Sequence, residues 1–379
     1  MKALGADEKR KLSEPRKRRE SLARHGRFPA TKPLNGAAVV PLEKSSILNS
    51  LELAKACQAV AATYEGGGNY AQACSLYRRS LLLLNGPQTG KAANSLRMNG
   101  LIGLGSLCVL RGRYRQAEQH YRQARSLALL SFGRNSVEML AALNGLGVVS
   151  KYVGHFGAAS RFYNQALAIA ERSIAKGTLG PDAPELASLY HNLGGLEHSR
   201  GRFARAEPFA RWAVEIRERV RGPAHPEVAA DVAALAPILD GLGNYRGAEK
   251  LYKRALTTFR RTYGPCHYEI AVNMGNLAAN WQAQGKHKPA ERLYRAALAM
   301  LEQVAVPRSP DVALLRNNLG KLLTRVGRPG EAVPLLKSSL VILTARLAPG
   351  HPHLRKVRKN LRAARQAETR RLENKAVRI

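Results

Sequence analysis

The sequence predicts an all-α fold, an α-solenoid of about seven antiparallel helix pairs followed by a C-terminal capping helix. A Gly-x-aromatic-x-x-Ala signature recurs as Gly68/Tyr70/Ala73, Gly112/Tyr114/Ala117, Gly154/Phe156/Ala159, Gly201/Phe203/Ala206 and Gly243/Tyr245/Ala248. It returns in weakened form as Gly285/His287/Ala290 and Gly327/Pro329/Ala332. Successive signature glycines stand 44, 42, 47, 42, 42 and 42 residues apart. A stride that regular means stacked structural units, and such stacks more often build a binding surface than a reaction vessel. Around each glycine, apolar and small residues keep the spacing of a single helical face.

Along the chain, residues 1–47 come first. They mix the basic runs Lys9-Arg10-Lys11 and Arg16-Lys17-Arg18-Arg19 with Pro15, Pro29, Pro33 and Pro41, without sustained apolar periodicity. Such a composition cannot bury enough surface to offset ordering entropy, so a disordered basic tail is expected there. Residues 48–352 are expected to hold the repeats. Residues 353–379 place Leu354, Val357, Leu361 and Ala364 at helical spacing among many Arg and Lys. This pattern reads as a basic capping helix, the polar lid that the end of a solenoid needs.

Within each repeat, the first helix carries a branched apolar residue and then a small one, eight and seven positions before the glycine. The pairs are Val60-Ala61, Leu104-Gly105, Leu146-Gly147, Leu193-Gly194, Leu235-Ala236, Leu277-Ala278 and Leu319-Gly320. A small side chain is required where two helices cross closely, because a larger one overpacks the crossing by about 1–3 kcal/mol. The glycine then makes the turn. The second helix opens with the aromatic, places Ala three residues on, and sets Tyr77, Tyr121, Tyr163, Tyr252 or Tyr294 four residues beyond that Ala. Ala210 and Leu336 stand there in repeats 4 and 7.

As a set these residues resemble the tetratricopeptide repeat family, whose motif joins the Leu-Gly pair, the Gly-x-Tyr turn and the Ala, aromatic and Ala of the second helix. The resemblance covers all seven repeats and implies a right-handed superhelix. The family's usual period is about 34 residues, so each repeat here has extra length to place. It falls between repeats, in Arg221–Ala229, Tyr263–Ala271 and Pro307–Ala313. A glycine ends the second helix there, and Pro226 or Pro310 opens the next with an acidic residue in its first turn. This Gly-x-x-His-Pro-(Asp/Glu)-Val-Ala connector is similar to that of the kinesin light chain branch, which implies a groove for extended peptides. HEAT and armadillo repeats share the longer period but lack the Gly-aromatic-Ala turn.

The 379 residues include 61 Lys and Arg against 27 Asp and Glu, a formal charge of +34. Residues 1–47 hold 12 basic and 5 acidic residues and residues 353–379 hold 10 and 2, so the repeats carry most of the excess. That surface favours anionic partners. Cys57, Cys74, Cys108 and Cys266 lack any CxxC spacing and read as packed thiols. A Cys57–Cys74 disulfide within one repeat stays open. No segment has the roughly 18 consecutive apolar residues of a membrane span, and no secretory apolar run follows the N-terminus. A soluble cytoplasmic protein is expected.

Nothing in the chain points to catalysis. Gly66-Gly67-Gly68 and Gly103-x-Gly105 lie inside the repeat pattern without a P-loop Lys-Ser/Thr. The ten histidines show no metal-ligand spacing. Neither enzyme activity, a cofactor nor a small-molecule substrate is expected. The concave groove remains, with Asn144, His191, Asn192, Asn276, Asn317 and Asn318 just before the Leu-small pair and Lys151, His198, Gln282, Lys321 and Arg325 after it. Asn both donates to and accepts from a peptide backbone, and cations suit acidic side chains. The expected function is a protein-interaction adaptor holding an extended, acidic peptide. The alternative is nucleic-acid binding through the basic surface and tails.

Overall fold

A computed structural model describes residues 50–85, 90–304, 309–347 and 349–376. The expected tail over residues 1–47 lies outside the described residues. The chain forms fifteen described helices. Repeat 1 is α1 (Ser50–Gly66) and α2 (Tyr70–Leu83), repeat 2 is α3 (Lys91–Leu110) and α4 (Tyr114–Phe132), and repeat 3 is α5 (Met139–Tyr152) and α6 (Phe156–Ala175). Repeat 4 is α7 (Pro184–Ser199) and α8 (Phe203–Arg221), and repeat 5 is α9 (Pro226–Gly241) and α10 (Tyr245–Tyr263). Repeat 6 is α11 (Tyr268–Ala283) and α12 (His287–Val304), and repeat 7 is α13 (Pro310–Arg325) and α14 (Pro329–Thr344). The terminal helix α15 (Pro352–Ala376) packs on both α13 and α14. Each helix packs on the next along the chain, so the array is an all-α repeat solenoid.

All seven signature glycines adopt φ between +67° and +87°. The residue after each glycine donates its N–H back to the carbonyl five residues earlier, as His155 does to Ser150 at 2.8 Å. This bond satisfies a carbonyl that the helix end leaves open, and only a left-handed residue allows it. The connectors have their own logic. His225 Nδ1 accepts the Glu227 N–H at 3.2 Å, and His267 Nδ1 accepts the Glu269 N–H at 3.2 Å. The His-Pro-Glu sequence is thus an imidazole N-cap, a proline at the first helical position and a carboxylate at the positive helix end.

The small residues of the first helices receive the tyrosines of the second. A Cβ placed on Gly105 or Gly145 would lie 2.8 or 2.3 Å from the Tyr121 ring, so this tyrosine is clamped between successive repeats. Gly147 holds Tyr163 in the same way, and Gly320 holds Leu336. Where Ala210 replaces the ring, the neighbour is backbone instead, and a Cβ placed on Gly194 would lie 3.3 Å from both the Ala206 carbonyl and the Ala210 nitrogen. Ala248 is fully buried at the equivalent crossing of repeat 5. Ala248→Leu is expected to destabilise the chain by about 1–3 kcal/mol in urea unfolding, while the exposed Ala204→Leu stays within about 0.5 kcal/mol.

The array curls far enough for its last repeat to meet its first ones. One apolar cluster joins Tyr114, Tyr121, Leu146 and Val149 to Ala313, Ile342, Leu343, Leu354 and Val357. Arg346 donates to the Arg111 carbonyl at 2.6 Å across 235 residues, and its guanidinium also fills the space beside Gly112. His351 lies against Gly154 and hydrogen-bonds the Tyr152 backbone. The turn edge of repeats 2 and 3 therefore seats the connector edge of repeat 7 and α15. Beside this seam the first helices of repeats 1–5 line an open channel.

Candidate functional site

Three residues before each turn glycine, the first helix presents Glu65, Val109, Lys151, His198, Asp240, Gln282 or Thr324. In repeats 1, 5 and 6 this residue accepts from the clamped tyrosine. Tyr77 donates to Glu65 Oε2 at 3.1 Å, Tyr252 to Asp240 Oδ2 at 3.0 Å, and Tyr294 to Gln282 Oε1 at 3.1 Å. Gln282 is thus committed to packing within its own repeat. Lys151 cannot accept, and the buried Tyr163 hydroxyl of its repeat has no partner among the described residues. In the repeat of His198 the clamped-tyrosine position is held by Ala210. Val109, Lys151, His198 and Thr324 depart from this pattern.

The first helices of repeats 1–5, with Tyr121, Ala166 and Arg217 of the second helices, line an open cavity of about 610 Å³. Asn144, His191 and Asn192 line it together. Asn192 donates to Asn144 Oδ1 at 2.9 Å, which ties repeat 4 to repeat 3. His191 Nδ1 lies 2.7 Å from Asp231 Oδ1, and Arg217 Nε donates to Asp231 Oδ2 at 2.6 Å. Arg217 also reaches Glu227 Oε2 at 3.0 Å and Ser188 Oγ at 3.3 Å. Asp231 is 2% exposed, so the network is a buried ionic tie between repeats 4 and 5 with one edge open to the cavity.

The other expected groove residues separate by environment. Asn317 is buried and joins Asn318 Oδ1 at 3.2 Å and Asn360 Nδ2 at 2.8 Å, holding the terminal helix to repeat 7. Asn276 is half-buried on α11, with no hydrogen bond to its side chain among the described residues. Lys321 and Arg325 are exposed on α13 and have no ion pair among the described residues. Lys151 is half-buried, with Nζ 5.1 Å from the centroid of the Tyr152 ring. The four cysteines are free, which leaves no Cys57–Cys74 bridge.

The seam has an acidic side that sequence reasoning missed. Tyr268 donates to Asp311 Oδ2 at 2.7 Å. Burial, then the negative charge of Asp311, pushes the Glu269 carboxyl up to about 7. Burial also raises Asp311 itself. Tyr70 of repeat 1 lies in the field of Glu269, and Tyr114 and Tyr152 of repeats 2 and 3 in the field of Asp311. A carboxyl with a raised folded pKa holds a proton that the unfolded chain releases, so stability falls as pH rises from about 4.5 through about 7. Glu269→Gln should therefore raise the melting temperature at about pH 8 and leave it unchanged at about pH 4.

Glu269, Asp311, His351, His353 and Lys356 had no sequence signal as site residues, because only closure of the array brings them to repeats 1–4. One clue was available. His351-Pro352 repeats the His-Pro connector, and His351 Nδ1 accepts the His353 N–H at 3.1 Å just as His225 and His267 cap their helices.

Family models described as tetratricopeptide repeat match residues 56–91, 96–172, 185–257, 228–303 and 312–353. No functionally curated protein matches the sequence. Among solved structures, BtubC (BKLC) from P. vanneervenii is 24% identical over 62% of this chain and 91% of its own, with a TM-score of 0.46. A putative kinesin light chain with nearly identical TPR-like repeats from Podosopora anserina is 21% identical over 55% of this chain and 97% of its own, with a TM-score of 0.42. The Rap conjugation gene regulator of plasmid pLS20, in complex with the Phr* peptide, is 17% identical over 76% of this chain and 72% of its own, with a TM-score of 0.58. No described helix is long and apolar enough to cross a membrane.

Proposed function

This chain belongs to the tetratricopeptide repeat family, and from that premise we propose that it is an interaction adaptor holding an extended, acidic segment of a partner protein in its concave channel. The observation that carries this reading is the state of the charges along the channel. Of the four carboxylates that line it, three are engaged, Glu65 by Tyr77 and both Glu227 and Asp231 by Arg217, and Glu185 is exposed. Lys151, Lys321 and Arg325, outside that lining, have no ion pair among the described residues. An acidic segment supplies the missing partners, and Asn276 offers its backbone a free amide. His198 and Asn318 extend the same lining, while Asn144, His191 and Asn192 present the polar wall of the cavity. Gln282 and Asn317 are committed to packing in repeat 6 and against α15.

The test is capture of partners by the full-length chain and by an Asn276→Ala/Asn318→Ala variant, compared by mass spectrometry. The variant is expected to fold with unchanged helicity and to lose captured partners at least about tenfold. Equal capture by both proteins counts against the groove. A full-length chain that takes no protein, but binds RNA with steep salt dependence, assigns the function to the basic surface instead.

A further inference from the structure

Separate parts of the chain bring amines and imidazoles to one side of the seam, with no carboxylate among them. Lys151 ends α5, and its Nζ lies 3.2 Å from where a side chain on Gly195 would begin, so glycine leaves the ammonium its space on α7. One helical turn beyond Gly195, His198 is tilted on Phe203 with ring centroids 5.6 Å apart. From the far end of the chain, His351 bonds the Tyr152 backbone and stacks on His353 at 5.0 Å. Helix α15 then presents Lys356 beside Lys321 of α13.

Every neighbouring charge that bears on this group is positive. Burial, then Lys151 and Lys356, pushes His198 down. Burial, then His351, Lys356 and His198, pushes His353 down to about 4. Burial and Lys321 lower Lys356, burial alone brings Lys151 down to about 8, and His351 is lowered by burial and by Arg355. Lys151 and His198 are half-buried and His353 and Lys356 are exposed, and gathering like charges without a counter-charge costs free energy. Packing gives no reason for it. In repeats 1, 5 and 6 this register places an acceptor for the tyrosine, whereas Lys151 leaves the buried Tyr163 hydroxyl without one among the described residues.

We propose that Lys151, His198, His353 and Lys356 form a binding site for a doubly charged oxyanion, a phosphoryl group, completed only where the C-terminal helix meets repeats 3 and 4. The ammonium groups supply fixed charge, and the imidazoles become donors by taking up protons as the anion enters. Binding is therefore proton-coupled and tightens as pH falls. The site does not depend on the peptide reading, because a free phosphate and a phosphorylated partner segment present the same group.

The experiment titrates the full chain with inorganic phosphate near neutral pH and follows the His198 and His353 ring signals by NMR. Sulfate replaces phosphate in the pH series, since it stays doubly charged. Saturation is expected to raise both histidine pKa values by about one unit or more. Lys151→Met and Lys356→Met should each weaken phosphate binding at least about tenfold while leaving helicity intact. Lys250→Met, at an exposed position on α10, should change nothing. A phosphoserine peptide that binds more tightly than phosphate assigns the anion to a partner segment, and equal binding assigns it to a free anion. Histidine shifts no larger than those from sodium chloride of equal ionic strength overturn the site. So does a Lys151→Met protein that stays folded and binds phosphate as the parent does.

Discussion

Asp231→Ala is expected to destabilise the chain by about 3–5 kcal/mol, the cost of removing one partner from a buried ion pair. Asp231 is 2% exposed and serves Arg217 and His191 with separate oxygens. Arg217 keeps Glu227 at 3.0 Å after the substitution, which places the effect toward the lower end of that range. Glu207→Ala removes an exposed i,i+4 partner of Arg211 and is expected to cost at most about 1 kcal/mol. Urea unfolding midpoints, at constant slope, measure the difference. Equal shifts for the two variants mean that the network between repeats 4 and 5 is solvated.

Gly147→Ala should be the most damaging single methyl in the chain. The new Cβ would lie 2.2 Å from Cε1 of Tyr163, a ring with no exposed surface. Helix propensity favours alanine by up to about 1 kcal/mol, but displacing a fully packed ring costs about 1–3 kcal/mol or more, so the net sign is destabilising. Gly157→Ala provides the opposite case. Its Cβ would meet only Arg161 Nη1 at 3.9 Å, and the substitution is expected to stabilise α6 by a few tenths to about 1 kcal/mol. Thermal melts that move in the same direction for both glycines contradict the clamped-tyrosine account.

The local half of this architecture was legible in the sequence because it rests on neighbours within one repeat. Gly154 had to turn, Gly147 had to be small and Tyr163 had to pack, and each follows from spacing on a helix face. Connector chemistry was legible only in part. Pro226 and Glu227 announced a helix start, while the capping role of His225 needed the position of its Nδ1. The seam was not legible, because it joins Arg346 to Arg111 and His351 to Tyr152. Those contacts depend on a small angle accumulated over several repeats, and no periodicity encodes it. The groove residues divided for the same reason. Asn144 and Asn192 were read from their place on the first helices, yet their bond to each other is a contact across repeats.

The central claim is that the array closes on itself and makes one channel with a cationic side. Crosslinking of the full-length chain with a short amine-reactive reagent, read by mass spectrometry in the monomer fraction, tests it most directly. Lys321 and Lys356 are neighbours at the C-terminal end and serve as the internal reference. Lys151 and Lys356, 205 residues apart, both act on His198 and meet only through the seam. A Lys151–Lys356 crosslink formed as readily as Lys321–Lys356 is the result predicted here, and a Lys321–Lys356 link with no Lys151–Lys356 partner would contradict it.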